Sequence, residues 1–282
     1  MASGAPPAPV PLFIEADGRR LFALHHAPAG TPRGAVVFLP PFAEELNMSR
    51  RMAYLLGRAL ADAGYAFLEA DLTGTGESAG DFADARWETW RGDARAAVAW
   101  LAASSGCEPA LLALRAGALL AADIASSDAR PRRLILWQPV GNGQTMMSQF
   151  LRIRVAAGLM GGDKETTAAL RAEWTAGRAV EVAGYEVHPE LAHAVDALSL
   201  AALAPPAGSR VDWIETGDAE RGAAPASQRT IEAWREAGLP VALRICPGEP
   251  FWTIQETTLA PAMIAATLAA LSDESHSGGS AP

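Results

Sequence analysis

Lysine is almost missing from this sequence. Lys164 is the only one in 282 residues, so positive charge is carried by arginine. Acidic residues outnumber basic ones, 32 to 23, and the net charge is −9. A general nucleic-acid binder needs a basic face to displace counterions, so nucleic acid is excluded as an expected partner. Cysteine is also scarce. Cys107 and Cys246 are the whole complement, which excludes a disulfide framework. Each lies at or beside an expected strand, where cysteine packs as a small hydrophobe. A catalytic thiol is the lesser reading, because no histidine sits in a matching motif. No apolar run reaches the length of a membrane span. The opening "MASGAPPAPVPLF" lacks the basic-then-apolar plan of a signal peptide. The expectation is a soluble, cytoplasmic protein with no internal repeat.

Half the residues are apolar and a fifth are charged, a globular composition, and the length suits one α/β domain with an insertion. "VPLFIEADG" and "RLFALHHAP" suggest an opening hairpin. Strands are expected at 34–41, 65–72, 109–115, 133–140, 210–217 and 240–248. Helices alternate with them: 48–64 ending at Gly64, 86–104 with Trp87, Trp90, Ala94, Ala97 and Leu101 on one face, the alanine-rich run after 116, and "ASQRTIEAWREAG". A final helix, "ETTLAPAMIAATLAAL", is interrupted by Pro261. This alternation is the mark of a mostly parallel sheet covered by helices on both faces. Residues 141–205 break the rhythm with two helical stretches, and are expected to form a helical cap. The core is then 9–140 plus 206–271, with 1–8 and 272–282 as flexible termini. An insertion after a strand's C-terminal end falls on the binding edge of a parallel sheet, so the cap reads as a lid.

Three motifs occur in order. "FLPPFAEE" (38–45) follows a buried strand, "DLTGTGES" (71–78) follows the next, and "PALLALRAGALLA" (109–121) runs from strand through small residues into helix. They resemble, respectively, the oxyanion loop, a glycine-rich turn and the nucleophile elbow G-x-S-x-G of the α/β-hydrolases. Phe42 resembles the aromatic of the oxyanion loop. Together with "LWQPV", "QFLRIR" and "GEPFW", these stretches are similar to the type 2 exosortase-A-associated hydrolases, and the likeness covers most of the chain. The resemblance implies an α/β-hydrolase fold and a bacterial, cytoplasmic role tied to exopolysaccharide or protein-sorting loci. It supplies no substrate, because that family's hydrolase label comes from fold similarity.

The elbow positions are Ala113, Leu114, Arg115, Ala116 and Gly117. Arginine stands where the nucleophile belongs, and a guanidinium is a donor only. Asp218, in "ETGDAERG", matches the acid position. After the last strand the text is "PGEPFWTIQE", with no histidine between His193 and His276. Two of three triad members are therefore absent, and serine-hydrolase chemistry is not expected. Ser78 reads as a turn serine. "GTGES" lacks the strand and helix context of a dinucleotide site. No cofactor and no metal are expected.

Arg115 at a helix start, beside the N–H groups of Ala116 and Gly117, makes a natural anion site. The competing reading is an internal ion pair with Glu44, Glu45, Asp71, Glu249 or Asp218, and this pair is the expected unliganded state. Both hold if a ligand anion competes with Glu44 or Glu249. Phe42, Glu44, Arg115, Ala116, Glu249 and Trp252 are the candidate ligand contacts. Arg152 and Arg154 of the cap read as solvated helix charges. Three functions remain open. One is a non-hydrolytic binder of a small anionic or acyl- or glycan-related ligand, with a protein partner possible. The second is a divergent hydrolase or acyltransferase with a non-standard site. The third is an interaction module with a vestigial pocket.

Overall fold

A computed structural model describes residues 5–128, 130–161, 164–253 and 258–272. The chain opens with β1 (Val10–Ala16) and β2 (Arg19–His26), an antiparallel hairpin closed by Asp17 and Gly18, both at positive φ. That is the two-residue turn that an Asp-Gly pair favours. Six further strands follow in the sheet: β3 (Gly34–Leu39), β4 (Tyr65–Ala70), β5 (Pro109–Leu114), β6 (Arg133–Trp137), β9 (Arg210–Thr216) and β10 (Val241–Cys246). The spatial order is β1-β2-β4-β3-β5-β6-β9-β10, and β4 through β10 run parallel. All six expected strands are thus in one parallel block. β3, β4, β5 and β6 are almost wholly buried, which is why they read as unbroken apolar runs.

Helix α1 (Glu44–Asp62) and the last helix, α8 (Pro261–Ser272), cover one face through Met52, Leu56, Leu60 and Met263. Helices α2 (Trp87–Ser105), α3 (Gly117–Ser127) and α7 (Pro225–Glu236) cover the other. The α2 stripe of Trp87, Trp90, Ala94, Ala97 and Leu101 is buried as expected.

Several boundaries differ from the sequence reading. α1 starts four residues early, at Glu44, because Ala43 at φ 52° turns the chain directly into the helix. The strand expected to reach residue 140 stops at Trp137, where Gln138 takes φ 43° ahead of Pro139. Pro261 opens α8 instead of interrupting it: a first-turn proline has no N–H to lose. Residues 256 and 257, the start of that expected helix, lie outside the described residues, as do 1–4 and 273–282 of the expected flexible ends. Within the first of those ends, the Pro7 carbonyl accepts a 2.7 Å bond from Arg58.

The inserted segment is not purely helical. α4 (Gly143–Gly161), α5 (Thr167–Thr175) and α6 (Pro189–Asp196) are joined by a hairpin, β7 (Val180–Val182) and β8 (Tyr185–Val187). Its sequence, V-E-V-A-G-Y-E-V, alternates around Ala183 and Gly184, both at positive φ. The period of two was there to be read, but each arm is only three residues long.

Two buried titratable groups lie beneath α1. Glu69 of β4 has one carboxylate oxygen without a hydrogen-bond partner among the described residues, with Arg50 3.8 Å away. Burial pushes its carboxyl up to about 7; Arg50 pulls the other way, and Asp71 adds to the rise. Among the described residues neither ring nitrogen of buried His26 has a hydrogen-bond partner, and burial holds its imidazole down to about 4. A carboxyl raised on folding favours the native state while protonated, so Glu69 costs stability as pH rises from its ordinary value of 4.5 through about 7. His26 gives the opposite slope, so the two offset each other in the wild type. The stability advantage of Glu69→Gln over wild type should therefore grow across that window, towards a few kcal/mol. Urea melts of both proteins between mildly acidic and neutral pH check this. A constant difference between them would place Glu69 outside the linkage.

Candidate functional site

The sheet reverses its winding at its centre. β3 leads into α1 on one face, and its neighbour β5 leads into α3 on the other. Beyond the C-terminal ends of such a strand pair the connections diverge and leave a crevice. Pro40, Pro41 and Phe42 come off β3 there, and Arg115 comes off β5.

Arg115 holds φ 55°, a left-handed conformation that is uncommon for a non-glycine residue. The turn is held on both sides. Arg115 N–H donates to the Trp137 carbonyl at 3.0 Å, and its own carbonyl accepts from Val140 at 3.1 Å and Ala118 at 3.1 Å. Gly117 supplies the clearance. A Cβ there would sit 2.4 Å from the Leu39 carbonyl oxygen and 2.7 Å from that of Pro40, both backbone. Gly117→Ala should therefore force β3 and α3 apart and cost about 1–3 kcal/mol, the usual range for overpacking. A thermal melt reads this directly, and an unchanged melting temperature would show that the contact relaxes freely.

The Arg115 side chain reaches back over α1. Its Nε donates to Glu45 Oε1 at 3.2 Å, and its guanidinium carbon lies 5.6 Å from the centre of the Trp252 ring. Arg115 is 21% exposed and Glu45 26%. Burial raises the Glu45 carboxyl, and the charge and hydrogen bond of Arg115 oppose that rise. Among the described residues neither terminal nitrogen of Arg115 has a hydrogen-bond partner. These nitrogens are the two-toothed end of the fork that grips carboxylates and phosphates. Ala118 and Leu119 donate to the Arg115 and Ala116 carbonyls. That leaves the helix-start N–H groups of Ala116 and Gly117 without an intrahelical acceptor.

A cavity of about 230 Å³ opens at this point. Phe42, Glu44, Glu45 and Arg115 form its floor, and Met146 and Phe150 of α4 face them from the inserted segment. An adjoining, mostly apolar pocket shares Phe42 and Met146 and is lined by Ala116 and Gly117. Phe42 is buried and meets Phe150, Phe82 and Trp90 edge to face, with centroids 5.1–6.0 Å apart.

Of the expected contacts, Phe42, Glu44 and Arg115 share the cavity and Ala116 lines the neighbouring pocket. Trp252 is buried against Phe251 and meets Arg115 with its ring. Glu249 is exposed and lines neither cavity. Glu44 is engaged elsewhere: it accepts from Tyr185 Oη at 2.7 Å and from Asn47 Nδ2 at 3.0 Å, a latch between α1 and the β7–β8 hairpin. Burial and the Glu44 charge both push the Tyr185 hydroxyl upward. Asp71 is paired with Arg50 at 3.1 Å and also accepts from the Glu77 N–H. Asp218 is exposed, with Arg221 3.6 Å away. Arg154 is not simply solvated: it grips Glu165 twice, both bonds 2.7 Å. Ser78 Oγ donates to the Asp71 carbonyl and accepts from Phe22 N–H, a turn role. Tyr185 and Asn47 escaped the sequence reading, since each lacks any motif and matters only through a contact across 138 residues or more.

The family model for the X-Pro dipeptidyl-peptidases (S15 family) matches residues 17–147. Solved structures match over nearly the whole chain. Est1E from Butyrivibrio proteoclasticus, solved with ferulic acid bound, aligns with a TM-score of 0.68 at 14% identity, covering 94% of this chain and 98% of its own. Alpha/beta hydrolase domain-containing protein 10 from mouse aligns at 0.60 and 13%, covering 95% and 99%. XC6422 from Xanthomonas campestris, an a/b serine hydrolase without a lid, aligns at 0.57 and 16%, covering 97% of each chain. The chain has the α/β-hydrolase fold. No curated protein matches it by sequence. In this hydrolase fold the strand–Arg115–helix turn and the Phe42 loop flank one crevice, and the inserted α4 forms its outer wall. Among the described residues no helix is long and apolar enough to cross a membrane.

Proposed function

We propose that this protein is a non-hydrolytic member of the α/β-hydrolase fold, serving a bacterial exopolysaccharide or exosortase-associated system in the cytoplasm. It binds a small anionic ligand at Arg115, beneath the inserted segment as a lid. The observation that carries the reading is the half-used guanidinium. Glu45 takes the Nε edge of cavity-lining Arg115, whose terminal nitrogens have no hydrogen-bond partner among the described residues. A guanidinium placed at a helix start favours an anion over a neutral ester. The apolar walls from Phe42, Met146 and Phe150 suit a ligand with an acyl or similar body behind its charge.

The Arg115–Glu45 pair also supports a second reading, an interaction module whose crevice is closed by its own ion pair. Calorimetric titration with acetate, a longer fatty acid and phosphate separates the two. Binding that is lost in Arg115→Ala supports the ligand reading. No binding by either protein supports the module.

A further inference from the structure

The opposite edge of the sheet carries a different concentration of charge. β3, β4, β5, β6 and β9 are parallel neighbours, so their first residues lie along one edge. A cavity of about 600 Å³ opens there, lined by Arg33, Arg132, Arg133 and Arg210 together with Tyr65 and Glu108. Four arginines and one carboxylate among its lining residues contrast with a chain whose net charge is −9.

These arginines are held, not splayed into solvent. Asp212 of β9 is wholly buried. It accepts from Arg133 Nη2 at 2.9 Å and Arg244 Nη1 at 2.5 Å, with Arg210 Nε 3.7 Å away. Arg133 is itself 8% exposed and donates again to the Ala270 carbonyl at 2.6 Å. Arg132 donates to the Ala207 carbonyl at 3.0 Å, and the Arg33 guanidinium lies over the Tyr65 ring at 5.0 Å. One buried carboxylate thus orients three guanidiniums, and two more stand at the rim. A buried ionic cluster is a poor way to gain stability, since well-packed apolar residues usually do as well or better. Rigid, pre-oriented guanidinium forks are, in contrast, well suited to gripping oxyanions.

We propose that this arginine basin binds a small, multiply charged oxyanion, a molecule bearing a phosphate group or several carboxylates, at a site separate from Arg115. Several arginines in one row let such a ligand set a separate charged group against more than one fork at once. Tyr65, Pro109 and Leu271 supply an apolar wall for the organic part.

The test is isothermal titration calorimetry of the full chain at fixed ionic strength, with pyrophosphate and citrate as probes. The proteins are wild type, Arg33→Ala, Arg210→Ala and Arg115→Ala. At least one probe should bind wild type and Arg115→Ala alike, and each basin variant should weaken that binding about tenfold or more, the worth of one charge-assisted contact. Which probe binds tells phosphate from carboxylate recognition. Arg33→Ala keeps the test sound if Arg210→Ala disturbs folding, because Arg33 makes no ion pair with Asp212. A D273N/E274Q chain is titrated in parallel as a control for the acidic charge that follows α8 in sequence. No binding of either probe to wild type or to that chain overturns the proposal. So does binding that survives both basin substitutions, or that is lost only in Arg115→Ala.

Discussion

Fluorophosphonate probes should leave the purified protein unlabelled, and Arg115→Ser should not change that. A serine hydrolase needs a hydroxyl at the elbow and a base to take its proton; losing either costs orders of magnitude in rate. Here the elbow turn carries a guanidinium, which cannot attack a carbonyl. The four histidines among the described residues are all placed in other roles or elements. His25 and His26 lie in β2, and His26 is fully buried. His188 caps α6 by accepting from the Glu190 N–H, and His193 lies within that helix. The described residues after β10, Glu249, Phe251 and Trp252 among them, offer no imidazole. Glu45, which meets the much longer Arg115 side chain at its Nε, is a far weaker base than a triad histidine. Ser78 has both its hydrogen-bonding directions filled by backbone. Cys246 is no substitute, because burial pushes its thiol up and so disfavours the thiolate. The measurement is mass-spectrometric detection of adducts after probe treatment, alongside hydrolysis of short acyl esters. Covalent labelling of any serine in the wild type would sink the non-hydrolytic reading and restore the divergent hydrolase.

The parallel block was legible because its strands are buried on both faces, and such burial demands continuous apolar runs of strand length. What escaped was set by local backbone rather than by burial. Ala43 and Gln138 take positive φ values that alanine and glutamine do not advertise, and these moved the start of α1 and the end of β6. The shift in α1 decided the site. With the helix beginning at Glu44, its two glutamates are consecutive helical residues and point about 100° apart around the axis. Glu45 therefore meets Arg115, while Glu44 turns to Tyr185. The sequence could name the carboxylates near Arg115 but not choose among them, since the choice depends on helix phase. The turn at Arg115 was legible, because Ala113, Ala116 and Gly117 are small where strand passes into helix. The hairpin that carries Tyr185 was not, because three-residue arms hardly rise above the helical pattern on either side.

Small anions should raise the melting temperature of the wild type, and Arg115→Ala should abolish the rise. A ligand that binds only the folded protein stabilises it by about 2.7 kcal/mol when present at 100 times its dissociation constant. In a chain of this size that corresponds to a shift of several degrees. The contact responsible is the terminal edge of the guanidinium, so Arg115→Lys, which keeps the charge and loses the fork, should retain only part of the effect. Glu45 sets the sign of the remaining controls. Its carboxylate holds the Nε edge and repels an incoming anion, so Glu45→Gln should bind more tightly than wild type. Its carboxyl is raised by burial, so acidification protonates it in the folded protein at a higher pH than it would in the unfolded chain. Affinity for phosphate in the wild type should therefore increase as pH falls towards that raised value, and the Glu45→Gln protein should lack this component. Two results count against the assignment. An equal anion-induced shift in wild type and Arg115→Ala would place the anion elsewhere, and the basin variants would then show whether it lies at the other edge of the sheet. A large loss of basal stability in Arg115→Ala, with no anion response in either protein, would leave Arg115 and Glu45 as a structural pair closing an unused crevice.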